Sequence, residues 1–451
     1  MTTIHLPTGA EEIIQMLEAS DHSAYAVGGC VRDCLMGRVA GDWDITTSAR
    51  PADIKRVFRG RHMIDIGERH GTIAVKAQGA YFEVTTFRID GAYGDGRRPD
   101  AVSFTDDLQT DLSRRDFTIN ALAYNHKQGL VDYFGGLADV QNGTIRCVGD
   151  AAARFDEDYL RILRAYRFSA TLGFDIADDV RQAAVEGKQN LRHIAAERIQ
   201  SEFCKLLSSD NFDKIEDFFD DIGDVLFPEI TRLKGYEQDT PYHCYDVYRH
   251  TLEVLRHVPN QLYMRLAALF HDVGKFDTRT KDAKGIHHFY GHADVSHKIC
   301  EAALAGLKFD NATTQRVLAI VKHHDVRMHA DKLTLKRRTN KFGAELVRDL
   351  LAFQYADDMG KSDMVKTSRL PEVLAATALF EKIAASGEAL KISDLAINGA
   401  DVMRELGISP SAEVGRQLER LMQVVLENPE LNEREKLLTI LRESKQNSEE
   451  S

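Results

Sequence analysis

Nowhere does the 451-residue chain hold the roughly 18 consecutive apolar residues that a membrane-spanning helix requires, so none is expected. Cysteine is sparse and scattered: Cys30, Cys34, Cys147, Cys204, Cys244 and Cys300 include no Cys-x-x-Cys pair. That spacing argues against a zinc ribbon and against a disulfide framework. The first residues lack the basic and apolar regions of a secretory signal. A reducing, cytoplasmic setting fits these absences. Positive charge is not in excess either. Asp and Glu number 70 against 58 Lys and Arg, a net charge of −12 that argues mildly against a nucleic-acid partner. A local basic surface can still stand on an acidic chain, so distribution matters more than the sum. Hydrophobic content of 43% is that of a soluble globular protein, and the length predicts about two to four domains.

What is present begins with Ala24-Tyr25-Ala26-Val27-Gly28-Gly29-Cys30-Val31-Arg32-Asp33, followed by Gly41-Asp42-Trp43-Asp44-Ile45-Thr46-Thr47. The pattern reads as a strand, a glycine turn, a helix and a second strand. Gly28 and Gly29 allow close approach of a ligand, and the free N–H groups of a following helix suit a phosphate. On the second strand, alternation puts Asp42 and Asp44 on one face, roughly 7 Å apart. Neighbouring carboxylates repel unless a cation sits between them, and paired magnesium ions are a common solution in nucleotide transfer. A glycine turn before a polar edge strand is the plainer alternative. In this order the stretch resembles the DNA polymerase beta-like nucleotidyltransferases. More narrowly, its Gly-Gly-x-Val-Arg-Asp form is similar to the bacterial CCA-adding and poly(A) polymerase family, class II.

Further along, residues 8–20 predict an amphipathic helix, Pro51 to Phe58 another, and Thr72–Ala77 with Tyr81–Arg88 a strand pair turning at Gly79. Glu83 is a candidate third carboxylate, and reads equally as a solvated strand residue. Asp90 to Pro99, rich in glycine and charge, predicts a mobile loop. The resemblance gives such a loop a part in changing from adding C to adding A. Leu112 to Tyr124 predicts a helix capped by Ser113 or Asp111, with Arg115, Asp116 and Asn120 on neighbouring turns. Arginine forks suit phosphate, while Asp and Asn suit a ribose or polar linkage. This string matches the family's Arg-Arg-Asp-Phe-Thr-x-Asn-Ala element.

Phe155 to Phe168 carries Asp158, Arg161, Arg164 and Arg167 on a predicted helix. Asp158 and Arg161, three apart, can reach one ligand, or simply pair with each other. Cytosine and adenine each present an exocyclic amine beside an unprotonated ring nitrogen, which a carboxylate and a guanidinium match. Uracil and guanine reverse that order, at about 1–3 kcal/mol per group left unsatisfied. Glu-Asp-x-x-Arg is similar to the family's nucleotide-selecting element, which assigns base choice to Asp158 and Arg161. Arg164 is placed against the triphosphate or the tRNA end, and Arg167 at the surface or on tRNA.

A histidine-rich region follows, with His250, His271-Asp272, His292, His323-His324 and Asp357 at domain-scale spacing. It resembles the HD phosphohydrolase domain, whose basic ligands map to His250, His271, Asp272 and Asp357. His292 and His323 or His324 match the extra ligands of two-metal sites. Imidazole with carboxylate suits Mn, Ni, Fe or Zn. A domain that only scaffolds RNA is the alternative.

The resemblance implies an α+β chain: a nucleotidyltransferase head with a mixed sheet (1–145), then an all-α neck (146–210), HD body (211–375) and tail (376–451). It implies template-independent addition of C, C and A to the 3′ end of tRNA from CTP and ATP, releasing pyrophosphate. Mg²⁺ would be held by Asp42 and Asp44 with Glu83 beside them. Gly28, Gly29, Arg32, Arg115, Asp116 and Asn120 would bind nucleotide, and the tail would bind tRNA. A phosphatase or phosphodiesterase acting on RNA 3′ ends is expected at the HD site. The expected protein is a monomer or homodimer without membrane contact. An A-adding enzyme, a poly(A) polymerase, and an HD phosphohydrolase with an RNA-binding head remain open.

Overall fold

The computed structural model describes residues 4–91, 102–283 and 285–449. The chain divides into two compact units, Met1–Pro228 and Glu229–Ser451. The fold is α+β, with its large sheet near the start and helices dominating the rest.

Seven strands form that sheet, in the order Met63–Gly67, Thr72–Ala77, Ala80–Thr86, Asp44–Thr47, Ala24–Val27, Leu122–Asn125 and Gly129–Asp132. Ala24–Val27 is buried along its whole length, as a central strand of small and apolar residues should be. It runs antiparallel to Asp44–Thr47 with Val27 opposite Asp44. Asp44–Thr47 then runs parallel to Ala80–Thr86, with Asp44 beside Glu83. These two registers bring the glycine turn and the carboxylates to one end of the sheet. The helix Thr8–Glu18 covers it with Ile13, Ile14 and Leu17, all buried, as its 3.6-residue periodicity predicts.

Some expectations need correction. The strand begins at Asp44, so Asp42 stands in the segment entering it and not on its face. The helix expected from Leu112 is instead Leu108–Ser113, capped by the Asp107 carboxylate, which accepts from the N–H groups of Gln109 and Thr110. The chain then extends through Phe117 and closes a single 3₁₀ turn at Thr118–Asn120. Phe117 is drawn out of helical geometry by a backbone bridge to Cys147. Asp158 also leaves the helix expected for it. It is an extended break between Ala151–Glu157 and Leu160–Leu172, and its carboxylate accepts from the Leu160 N–H at 3.1 Å. Of the expected loop at Asp90–Pro99, the part from Ala92 onward lies outside the described residues.

The helical part of the first unit is held by an aromatic core. Phe203, Phe218, Phe219 and Phe227 are each no more than 1% exposed, and the Phe203 and Phe227 rings lie 4.4 Å apart. In the second unit, the helices Val247–His257, Leu262–Phe270, His292–Gly306, Asn311–His323 and Ala344–Met359 pack into a bundle. A short hairpin, Thr280–Lys281 with His287–His288, precedes His292. The tail helices Gly399–Leu406, Ala412–Glu427 and Arg434–Glu449 close on Val402, Met422 and Leu437. No helix among the described residues is long and apolar enough to cross a membrane.

Emptying the centre of the aromatic core tests this packing. Phe203→Ala should cost about 3–5 kcal/mol of the first unit's stability, read as an earlier transition in urea.

Candidate functional site

At the end of the sheet, Gly28 has φ of +85°, a backbone state that a side chain would strain. A Cβ there would also stand 3.1 Å from the Arg115 Nη1, so the missing side chain leaves room for that guanidinium beside the turn. Gly29 opens the helix Gly29–Leu35. Across the strand, desolvation raises the Asp44 carboxyl above its usual range; Arg115 lowers it and Asp42 raises it again. Glu83 is raised by desolvation and then by Asp44 and Asp42. Asp42, Asp44 and Glu83 therefore feel one another's charge. Such a cluster stays ionised at low cost only with a cation among its members, and hard oxygen donors suit magnesium. The donor chemistry suits that ion, while the three carboxylates stand farther apart than the 4.8 Å of a closed site.

Behind the carboxylates, Thr46 donates its hydroxyl to Asp111 Oδ2 at 3.0 Å. Asp111 is fully buried and holds Arg114 at 2.9 Å and Arg115 at 4.0 Å. Considered in the sequence only as a cap, it is the anchor that aims both arginines.

Asp116 and Asn120 do meet, as expected, but through the 3₁₀ turn: Asn120 Nδ2 donates to Asp116 Oδ1 at 3.2 Å. The other Asp116 oxygen accepts from Arg164 Nε at 2.8 Å, and Arg32 Nη1 donates to Asn120 Oδ1 at 2.6 Å. Burial alone would raise the Asp116 carboxyl. Arg164, followed by Asn120 and Arg161, overcomes this and holds it at about 2. The Phe168 ring has Arg32, Arg164 and Arg167 guanidinium carbons 5.3, 5.3 and 3.4 Å from its centre. Arg32 is only 7% exposed and spends its fork on Asn120 and Asp33, so it braces the site from behind.

Beside this network opens a cavity of about 260 Å³. Arg115, Asp116, Asp158, Arg161 and Arg164 all line it, joined by Arg114 and Arg198, which sequence reasoning missed. Asp158 and Arg161 do not pair with each other. Asp158 accepts from Arg198 Nη2 at 2.8 Å, while Arg161 reaches Glu157 and the Arg114 carbonyl. Glu202 was also missed; it is buried and fixes Arg167 at 2.8 Å. Arg164, Arg167 and Arg198 find their carboxylate partners Asp116, Glu202 and Asp158 35 to 48 positions away, beyond any helical spacing signal.

The second unit holds a different cluster. His250, His271, His292 and His324 each turn Nδ1 to a backbone carbonyl, of Gly360, Ala268, Phe289 and Val321 respectively, at 2.7–2.9 Å. Only an N–H can satisfy a carbonyl, so in each neutral ring Nε2 is left to the inside as an acceptor. His250 and His271 Nε2 are 3.3 Å apart, and His292 and His324 Nε2 are 3.1 Å apart. Asp272 lies between the pairs, with Oδ2 3.1 Å from His271 and Oδ1 3.1 Å from His292. Asp357 Oδ1 reaches His250 at 3.1 Å. Among the described residues, the two groups close enough to hold a metal are His250–His271–Asp272 and Asp272–His292–His324.

His324, and not His323, completes the second group. The helix Asn311–His323 ends so that His324 turns inward, while the His323 ring packs 4.8 Å from Phe342. Lys275, 2.7 Å from Asp272, and Lys361, bonded to Asp357, were not anticipated.

Residues 24–146 match the family described as Poly A polymerase head domain. The head is similar to that family. Residues 173–233 match the family described as probable RNA and SrmB-binding site of polymerase A, and 278–441 the family described as tRNA nucleotidyltransferase domain 2 putative. The chain is 49% identical over 198 residues to a CCA-adding enzyme of Leuconostoc mesenteroides, covering 44% of this chain and 49% of that one. To the CCA-adding enzyme of Geobacillus stearothermophilus it is 48% identical over 195 residues, covering 43% and 48%. The chain thus spans about half the length of these relatives in the matched regions. In structure it resembles the Bacillus stearothermophilus CCA-adding enzyme in complex with CTP, with a TM-score of 0.74 at 28% identity over 98% of both chains. The Thermotoga maritima CCA-adding enzyme complexed with tRNA shares the fold, with a TM-score of 0.61 at 20% identity over 96% of this chain and 94% of that one.

Replacing Asp116 by Asn would leave Arg164, about a third exposed, beside a neutral group with Glu202 3.9 Å away. The loss should be about 2–3 kcal/mol at neutral pH, read from urea midpoints. A carboxyl lowered from about 3.9 to about 2 stabilises fully above the higher value and loses that contribution as pH falls towards the lower. The gap between wild type and Asp116→Asn should therefore hold from pH 7 to about 4.5 and narrow below about 4.

Proposed function

We propose that this chain adds C, C and A to the 3′ end of tRNA from CTP and ATP, without a template and with release of pyrophosphate. The observation that carries the reading is the register that joins Val27, Asp44 and Glu83 at one sheet end, beside the arginine-lined cavity. Asp42, Asp44 and Glu83 would hold Mg²⁺, which lowers the pKa of the terminal hydroxyl and offsets charge on the leaving pyrophosphate. Gly28 and Gly29 leave the backbone open to the triphosphate, and Arg115 supplies a fork beside them. Asp158 and Arg161 select the base, which requires each to exchange Arg198 or Glu157 for an edge of C or A. Asp116 and Asn120 position Arg164 and Arg32 around that step. The head, neck, body and tail would divide this work, the tail meeting tRNA.

The outward-bonded histidines favour a second activity in the same chain. With the rings neutral, four inward Nε2 lone pairs beside two carboxylates are acceptors facing acceptors, an arrangement relieved by divalent transition ions such as Mn, Ni, Fe or Zn. Such ions supply activated water for phosphoester hydrolysis. The substrate would be an RNA 3′ end carrying a terminal or 2′,3′-cyclic phosphate. With the cyclic ester, water oxygen bonds to phosphorus, one ribose P–O bond breaks, and the freed ribose oxygen takes a proton.

Asp42→Ala and Asp44→Ala should each cut nucleotide addition by about a hundredfold or more, and activity close to wild type would sink the proposed site. Purified protein should be given tRNAs lacking three, two or one of the terminal nucleotides, each with CTP or ATP alone. Extension of all three in the order C, C, A supports the full reading. Extension of only the last would make this an A-adding enzyme. Phosphoester cleavage at cyclic-phosphate tRNA should vanish on chelation and in His271→Ala while nucleotide addition persists, and cleavage surviving either treatment would refute the second activity.

A further inference from the structure

The cavity over the histidine cluster, about 410 Å³, has a wall that the hydrolytic chemistry does not use. Tyr290, His288, Arg327 and Arg369 line it together with His292, Asp272 and Asp357. We propose that Tyr290, stacked on His288, is the base platform of a nucleotide subsite that presents a 3′-terminal phosphoester to the cluster. This inference rests on the reading of the cluster as a phosphoester-hydrolysing site and names the group that reads the leaving end.

The Tyr290 ring is 77% exposed, yet it is held in place. It lies parallel to the His288 ring, with centroids 5.3 Å apart and planes 7° from each other. His288 is in turn bonded to Asp282 at 3.0 Å. An aromatic face kept rigid and open to water is a surface on which a base can stack, at little further ordering cost. Such stacking tolerates any base. Its distance from the chemistry is short along the chain. Gly291, at φ +74°, turns the backbone directly after Tyr290, and His292 then faces the other ligands. The cavity volume falls within the roughly 300–1,000 Å³ of small-ligand sites.

Cations complete the match. Arg327 lies 3.1 Å and Arg369 3.9 Å from the fully buried Asp358, so both guanidinium groups are held at the cavity wall. Arg369 also lies over the Tyr242 ring, 5.6 Å from its centre. A rigid ring with nearby arginines suits a nucleotide that carries a phosphodiester on its 5′ side, as an RNA end does.

The test compares adenosine 2′,3′-cyclic phosphate with the base-free ester 1-O-methylribose 2′,3′-cyclic phosphate, using metal-loaded full-length protein. Tyr290→Ala should raise KM for the adenosine ester by about 10-fold, with kcat within about twofold, and leave the base-free ester unchanged. Tyr290→Phe should behave as wild type. Bound metal and nucleotide addition to tRNA should be unaltered in both variants. An equal effect on the two esters, or none on either, overturns the platform. If wild type cleaves neither ester, the hydrolytic reading falls and equilibrium dialysis with the adenosine ester decides the subsite. Binding weakened about 10-fold in Tyr290→Ala then supports it, and undiminished or absent binding overturns it.

Discussion

A carboxylate withdrawn from water must be matched or it will take up a proton, and at Asp116 that requirement organises the first unit. Its two oxygens face different parts of the chain: Asn120 on the 3₁₀ turn, and Arg164 on the long helix after the Asp158 break. Asn120 passes the constraint to Arg32, and Arg164 passes it towards Glu202. Sheet and helices are thereby joined by charge as much as by apolar contact. The pocket that holds Asp158 and Arg161 takes its shape from this joint. Asp116 lines that pocket, bonds Arg164, and feels the charge of Arg161.

The two clusters of acceptors use opposite strategies. The head gathers carboxylates with little direct support and leaves them open to the cleft, which suits an exchangeable hard ion arriving with a nucleotide. In the second unit the four clustered imidazoles are each fixed from behind by a backbone carbonyl. Orientation there is settled during folding, which suits a resident softer ion.

Much of this was legible in the sequence where local periodicity carries it. Strand alternation and the glycine turn placed Asp44 at the sheet end, and the parallel register added Glu83. His271-Asp272 closing an apolar helix was equally clear. Legibility failed where a remote contact overrides local propensity. Phe117 leaves helical geometry because Cys147 bridges its backbone, so Asp116 and Asn120 meet by a different path from the one their spacing suggested. Neighbouring His323 and His324 differ by about 100° on a helix. Only the partners supplied by other helices decide which one faces inward. Arg198, Glu202 and Lys361 gave no signal, since a single charged residue on a helix looks the same with or without a distant partner.

The carboxylates of the head differ in how they are held. Asp44 lies within the sheet, flanked by Val27 and Glu83 on neighbouring strands, whereas Asp42 comes just before the ladder begins. One is a fixed post and the other an arm. Under the proposed addition of C, C and A, the site would meet three primers in succession, each one nucleotide longer, and would have to keep its reaction centre still while its grip adjusts. Dividing the grip between an anchored residue and one on an entering segment gives the site a constant origin and an adaptable reach.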